Sequence, residues 1–303
     1  MSQVLVAGAT GALGRHIVAE LRRRGHGVRV LSRSLERARG LGIRDEDIVV
    51  ADALTEPEQL ARAVQGTDRV VSTLGAPVSP GLSSRAGFTH VDVRANLALL
   101  AAARAARVPR FVYVSTHGGP DLDDVRYVTA HRRVEAALAA ARGSLSSTSV
   151  RPTGYFSALA AFLDMAKKGP LPLLGGKDAR SNPIHDEDLA RVVVEQLDEG
   201  PLVVEAGGPD VLTRADMGAL AFRALGKEPR FRVVPGGIVR FLARVIRPVH
   251  PRLGELLEFI ERLHRVDAVA EVRGTRSLEA FFRERAAATE TRDEVPTLSA
   301  APR

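Results

Sequence analysis

The stretch that most constrains this chain is VLVAGATGALGRHIVAELRRR, near its start. Four apolar residues read as a buried strand, HIVAELRRR reads as an amphipathic helix, and Gly8, Gly11 and Gly14 stand between them. Glycines at this turn let the backbone reverse tightly, approach a pyrophosphate closely and pack the helix onto the strand, with the phosphate charge at the helix N-terminus. Gly8, Thr10, Gly11, Leu13 and Gly14 are therefore candidate cofactor contacts. A second strand, GVRVLS, follows at the distance a dinucleotide site requires. A purely structural turn that binds nothing is the alternative.

The end of that second strand bears on the choice of dinucleotide. A site for NAD(H) places a carboxylate there to meet the ribose hydroxyls; this chain has Ser32 and Arg33. A guanidinium pairs with a 2′-phosphate, so NADP(H) is expected, with Arg37 or Arg15 able to share the role. Asp52, just after the third strand, is placed to meet the adenine amino group or simply to cap its own loop. Leu74 and Gly75, after the fourth strand, are further candidates for lining the cofactor.

Strand-like runs at QVLVA, GVRVLS, DIVVA, DRVVSTL and RFVYVS alternate with helical stretches such as PEQLARAVQ and ANLALLAAARAA. That alternation predicts an α/β fold, a Rossmann-type doubly wound parallel sheet, over residues 1–150. Thr55 and Glu58 read as a capping box with Pro57 in the first turn; Thr213 and Asp216 read as another, on a helix closed by Gly226. Beyond SLSSTSVRP, proline and glycine become frequent. Residues 151–285 are expected to form a smaller C-terminal substrate lobe, interleaved with the sheet through PLVVEAGG, and residues 286–303 a flexible tail. The segment LARVIRPVHPRLGELLEFIERLH serves either as an apolar wall for substrate or as a homodimer contact.

Cysteine is absent, which removes disulfides, thiolate catalysis and thiolate zinc sites. The net charge is +7, yet the arginines are mixed with acids along helices and aromatics make up only 4%, so nucleic-acid binding is not expected. No apolar run reaches the roughly 18 residues of a membrane span. The start has no signal-peptide pattern, and a soluble, cytoplasmic protein is the expectation.

Taken in order, GATGALGRHIVAELRRRGHGVRVLSRS, ADALTEPEQL, RFVYVST, RYVTAHRRVEAAL, SVRPTGYF and NPIHDEDLARVV resemble the NmrA-like group of atypical short-chain dehydrogenase/reductases, over residues 3–235. Within it, RPTGYFSALAAF and EAGGPDVLTRADMGALAFRALGKEPRFRVVP look most like the divinyl chlorophyllide 8-vinyl reductases and their relatives. The resemblance implies NADP(H) use and reductase chemistry on a small-molecule substrate. It also implies that Pro152, Thr153, Gly154 and Tyr155 lie beside the nicotinamide.

Such reductases carry a tyrosine and, four residues on, a lysine that lowers the tyrosine pKa and holds the nicotinamide ribose. Here the tyrosine matches at Tyr127, but the lysine position holds His131, and no lysine occurs before Lys167. Three readings follow. His131 takes over ribose binding and, when protonated, lowers the pKa of Tyr127; or hydride adds to an activated double bond and the pair matters less; or both residues merely pack in a cofactor-binding relic. Ser115 and His117, after the fifth strand, are candidate substrate and proton-transfer groups. Asp186, Glu187 and Asp188 read as first-turn helix acids rather than metal ligands, and no metal is expected. The function expected is an NADP(H)-dependent reductase of a hydrophobic organic molecule, such as an enone, quinone, ketone or conjugated vinyl group. A non-catalytic NADP(H) sensor or assembly factor is the rival.

Overall fold

The computed structural model describes residues 2–76, 86–119 and 121–293. Strands and helices alternate through the first half as β1 (Gln3–Ala7), α1 (Ala12–Arg23), β2 (Gly27–Ser32), α2 (Leu35–Arg39), β3 (Ile48–Val50), α3 (Pro57–Val64), β4 (Arg69–Ser72), α4 (Arg94–Ala105), β5 (Arg110–Val114), α5 (Arg126–Ala140) and β6 (Ser146–Pro152). The central strands are short, continuous apolar runs because helices cover both of their faces. A π-helical turn, Thr89–Val93, leads into α4.

The second half adds α6 (Phe156–Leu159), α7 (Ala161–Lys168), β7 (Leu171–Gly175), β8 (Arg180–Ser181), α8 (Asp186–Glu195), β9 (Val203–Ala206), β10 (Leu212–Thr213), α9 (Arg214–Ala224), β11 (Phe231–Pro235), α10 (Gly236–Ile246), α11 (Pro251–Leu263) and α12 (Leu278–Asp293). The main sheet has the order β3-β2-β1-β4-β5-β6-β9. Every pairing in it is parallel. From β1 the chain winds outward to β3, then returns to lay β4, β5 and β6 on the other side. That reversal opens a crevice at the carboxyl ends of β1 and β4, where open α/β sheets bind ligands.

One face of the sheet is buried by α1 and α8, through Leu13, Ile17 and Leu21 of the first and Leu189 and Val193 of the second. The other is buried by α3, α4 and α5, through Leu60, Leu99, Val134 and Leu138. Each such side chain contributes about 1.5–3 kcal/mol of burial free energy. Residues 151–285 supply both sheet and lobe: β9 pairs with β6, while Phe156, Leu171, Met217, Phe222 and Phe282 form a separate core under the lobe.

Two local expectations are corrected. Thr55 caps nothing, because α3 starts one residue later than that reading needs: Glu56 is its N-cap residue, without a side-chain cap. The Glu56 carboxylate instead accepts the Asp52 N–H at 2.7 Å. The tail placed at residue 286 is helical as far as Asp293, as part of α12; residues 294–303 lie outside the described residues. The segment LARVIRPVHPRLGELLEFIERLH is two helices that pack on each other, α10 and α11, with Pro251 in the first turn of the second. The Thr213–Asp216 capping box does form on α9, and Gly226 takes the left-handed φ of +63° that closes it.

Candidate functional site

The glycine turn has the shape of a phosphate cradle. Gly8 sits at φ +85°, and a methyl group there would come within 2.5 Å of Thr73 Oγ1. One on Gly14 would overlap the Gly8 carbonyl oxygen. Side chains are thus excluded where the backbone of β1, the start of α1 and the end of β4 converge. Thr73 Oγ1 donates to the Ala7 and Gly8 carbonyls, tying that convergence together. Helix α1 begins with no side-chain cap, and Gly11 and Ala12 are exposed, so its leading N–H groups remain available to an anion. Thr10 is half-buried beside them and Leu13 is buried in the core. These residues fit a dinucleotide pyrophosphate.

At the rim, Ser32 is buried, and its hydroxyl donates to the Ser34 carbonyl and accepts the Ser34 N–H, so it shapes the turn. Arg33 and Arg37 are exposed, and among the described residues neither guanidinium has a hydrogen bond or ion pair. Arg15 is exposed too, and among the described residues its guanidinium makes a 3.4 Å contact with the Gly11 carbonyl. Asp52 Oδ1 accepts the Leu54 N–H at 2.9 Å; the loop-capping reading of Asp52 therefore holds for one oxygen. Leu74 is anchored by Asn96, whose Nδ2 donates to its carbonyl at 3.0 Å. Gly75 is exposed next to the Asp92 carboxylate.

Helix α5 carries Tyr127 and His131 one turn apart. The Tyr127 ring lies among His131, Phe88 and Phe259, with centroids at 4.8, 4.9 and 4.4 Å. Burial, and the nearby Tyr155 and Asp92, push its phenol well above the usual tyrosine value. His131 is buried, and Nδ1 lies 2.6 Å from the Tyr113 hydroxyl. Tyr113 is fully buried with its own acidity suppressed by burial, so we assign its O–H as the donor to Nδ1. Nε2 then carries the imidazole proton, and it is buried without a protein partner. Burial also lowers the His131 pKa to about 4. The ring is therefore neutral around pH 7, and the protonated His131 expected to acidify Tyr127 is not what this environment supports: desolvation outweighs the nearby Glu135 carboxylate.

Sequence reasoning missed Asp92. It lies in the π-helical turn before α4, where Oδ1 accepts the Ala76 N–H at 2.6 Å and Oδ2 is buried with no hydrogen-bond partner among the described residues. Burial raises its pKa to about 7, and Glu255 adds to that, against the Ala76 hydrogen bond and Arg252. Its charge would raise Tyr113, Tyr127 and Tyr155 alike, so it belongs to the same buried cluster. The available signal was VDVRAN: two polar residues, Asp92 and Asn96, on one helical face otherwise apolar.

Ser115 and His117 belong to a different network. The Ser115 hydroxyl donates to Glu135 Oε1 at 2.5 Å, and Glu135 also takes two hydrogen bonds from Arg151. Burial works against the Glu135 carboxylate, but Arg151 and Ser115 hold it below the usual range. The Ser115 proton is thus committed to structure. His117 Nδ1 lies 2.6 Å from Glu205, and the ring lines a cleft of about 530 Å³ with Leu122, Arg180, Val266 and Asp267. Farther along, Pro152 ends β6, Thr153 Oγ1 donates to the Asn182 carbonyl, Gly154 accepts the Ile184 N–H, and Tyr155 bridges to Ile184. The acids of α8 act as clamps. Asp186 accepts both the N–H and the hydroxyl of Ser157, and Asp188 accepts the N–H groups of Thr275 and Arg276. No cluster able to hold a metal occurs among the described residues, and no helix there is long and apolar enough to cross a membrane.

Comparison with known proteins places these features in context. A family model described as NAD(P)H-binding matches residues 8–200. The divinyl chlorophyllide a 8-vinyl-reductase, chloroplastic, of Zea mays is 37% identical over 250 residues, 77% of this chain and 61% of that protein. This chain thus spans about three fifths of that relative's length. The photosystem II assembly factor Ycf39 of Cyanophora paradoxa is 31% identical over 157 residues, 52% of this chain and 46% of that one. Among solved structures, the Citrobacter sp. triphenylmethane reductase complexed with NADP(H) superposes with a TM-score of 0.71 at 16% identity, covering 93% of this chain and 99% of that one.

Proposed function

The chain belongs to the NAD(P)H-binding family, an oxidoreductase family of the NmrA-like, short-chain dehydrogenase/reductase type, and from that premise we propose that it is an NADP(H)-dependent reductase of conjugated double bonds, such as those of enones, quinones or vinyl-substituted rings. The observation that carries this reading is the buried, uncharged His131 where the lysine of the usual pair would stand. Without a cation beside it, Tyr127 stays protonated. A phenol in that state gives a proton but does not readily take one, which suits reduction and not the oxidation of an alcohol. Conjugation also spreads the charge left by hydride addition, so the substrate needs less help than a simple ketone.

Bound NADPH would supply the hydride. The chain's own residues would do the rest. Gly8, Gly11, Gly14 and the start of α1 hold the pyrophosphate, Arg33 with Arg15 and Arg37 takes the 2′-phosphate, and the orphan Nε2–H of His131 donates to a ribose oxygen. Tyr127 protonates the atom that accumulates charge, with the Asp92 carboxyl, whose pKa burial raises to about 7, as a second proton source in the same cluster. Leu256 and Phe259 of α11 pack in apolar clusters with Phe88 and Tyr127, apolar surroundings that suit a hydrophobic substrate. The vinyl reductase relatives agree with a conjugated substrate.

The test is NADPH oxidation against a panel of enones and quinones, with Tyr127→Phe beside the wild type. Turnover is expected with at least one conjugated acceptor, falling about 100-fold in Tyr127→Phe. A second reading, an NADP(H)-binding assembly factor, draws on the similarity to Ycf39. It is favoured if no acceptor is reduced, and full turnover in Tyr127→Phe removes Tyr127 from the chemistry.

A further inference from the structure

Residues 229–254 contain six arginines and no aspartate or glutamate. Within this stretch lies α10, and its outer face is apolar. Ile238, Phe241, Leu242 and Val245 recur at helical spacing and are 52%, 65%, 43% and 55% exposed, with Val249 just beyond at 71%. Only Val239 and Ala243 of α10 are buried, through packing of its other side on α11. Single exposed apolar residues are ordinary, but a stripe of four on one helix, continued by Val249 just past its end, is the mark of a surface that meets another apolar phase.

The charges say which phase. Arg232 and Arg244 are exposed, and among the described residues neither has a hydrogen bond or ion pair. Arg240 is paired with the buried Glu261, so the positive charge at the edge of this face is that of Arg232 and Arg244. A second copy of this chain docking face to face would bring two such arginine sets together with no acid in the stretch to neutralise them. A helix that is apolar on one side, flanked by arginines with long flexible stems, fits an anionic lipid surface: the apolar stripe enters the headgroup boundary while the guanidinium groups reach phosphates.

We propose that α10 is an interfacial helix that seats the protein peripherally on anionic bilayers. Nothing crosses the membrane in this arrangement. It also sets a second cleft, of about 680 Å³ and lined by Ala86, Thr89, Val93, Pro251 and Glu255, close to the lipid, because Pro251 stands at the junction of α10 and α11. The inference does not depend on the reaction proposed above.

The experiment is flotation of the full chain with vesicles of phosphatidylcholine alone and of phosphatidylcholine mixed with phosphatidylglycerol, at low and at physiological salt. Chain mass in solution is measured in parallel by light scattering. Binding is expected only to the anionic vesicles, weakening as salt rises. Phe241→Ser/Val245→Ser should abolish it, and Arg232→Ser and Arg244→Ser should each weaken it about fivefold. Because these side chains are exposed, the variants should keep wild-type thermal stability, which separates lost docking from lost folding. Failure to float with any vesicle overturns the proposal. So does a stable dimer that Phe241→Ser splits, which would make the face a self-interface, and so does equal binding to neutral vesicles.

Discussion

Asp92 is a carboxyl whose proton the fold holds to higher pH than an exposed aspartate would, and this gives it a pH signature of defined sign. In an unfolded chain it loses its proton near pH 4; in the folded protein burial holds the proton up to about 7. Between those values the folded state binds one more proton, so stability falls as pH rises through the window and is level above it. The full effect is of the order of 4 kcal/mol. His131 and His264 oppose it: burial lowers both to about 4. They are neutral in the folded state while the unfolded chain protonates them below about 6.5, so their contribution is lost as pH falls from there. The wild-type profile is therefore a compromise, and the informative quantity is its difference from Asp92→Asn. Urea unfolding from about pH 5 to pH 8 should show the wild type losing stability relative to Asp92→Asn as pH rises. Parallel profiles would mean that Asp92 is already ionised in the folded protein. This residue also marks how far the sequence can be read. Tyr127 and His131 were legible as a pair because helical spacing alone puts them on one face. The charge state of His131 was not, because it depends on burial and on a hydrogen bond to Tyr113, which reaches it from β5.

At the scale of elements, local chemistry was a good guide where one element decides the outcome. The strands, the glycine turn and the capping box of Thr213 follow from patterns within a few residues. The guide failed where a competing partner decides, whether near or far along the chain. The Thr55 box lost to a hydrogen bond between Glu56 and the Asp52 backbone, and the acids of α8 do more than complement a helix dipole. Asp188, fully buried, gathers the N–H groups of Thr275 and Arg276 at 2.8 and 3.0 Å and pairs with the guanidinium of Arg276. Nothing in DEDLARVV announces a partner nearly ninety residues away. Asp188→Ala would strand two backbone donors and a cation, at a cost of about 2–4 kcal/mol. The loss should centre on the joint between α8 and the chain entering α12. Urea denaturation should register it, and hydrogen exchange should show α12 opening first. An unchanged midpoint would mean that water replaces the carboxylate fully.

For the whole molecule, the two halves meet at the carboxyl edge of one sheet: α1 and the glycine turn come from the first, while β9, α8 and the 152–155 segment come from the second. A dinucleotide spanning that crevice binds only when both are folded, so it should stabilise the molecule as a unit. At a hundredfold excess over its dissociation constant, a ligand specific for the folded state adds about 2.7 kcal/mol. For a chain of this size that raises the Tm by roughly 5 °C. NADPH is expected to produce such a shift, and NADH at equal concentration a smaller one, since only the former offers a 2′-phosphate to Arg33. Losing one charge-assisted pair costs about 1.5–3 kcal/mol, so Arg33→Ala should weaken NADPH about tenfold or more and leave NADH almost unchanged, with Arg15 and Arg37 limiting the loss. Gly14→Ala should remove both shifts, because the added methyl meets the Gly8 carbonyl and opens the cradle itself. Equal shifts from NADPH and NADH, untouched by Arg33→Ala, would place cofactor choice elsewhere on the rim; no shift from either would make the cradle a structural turn.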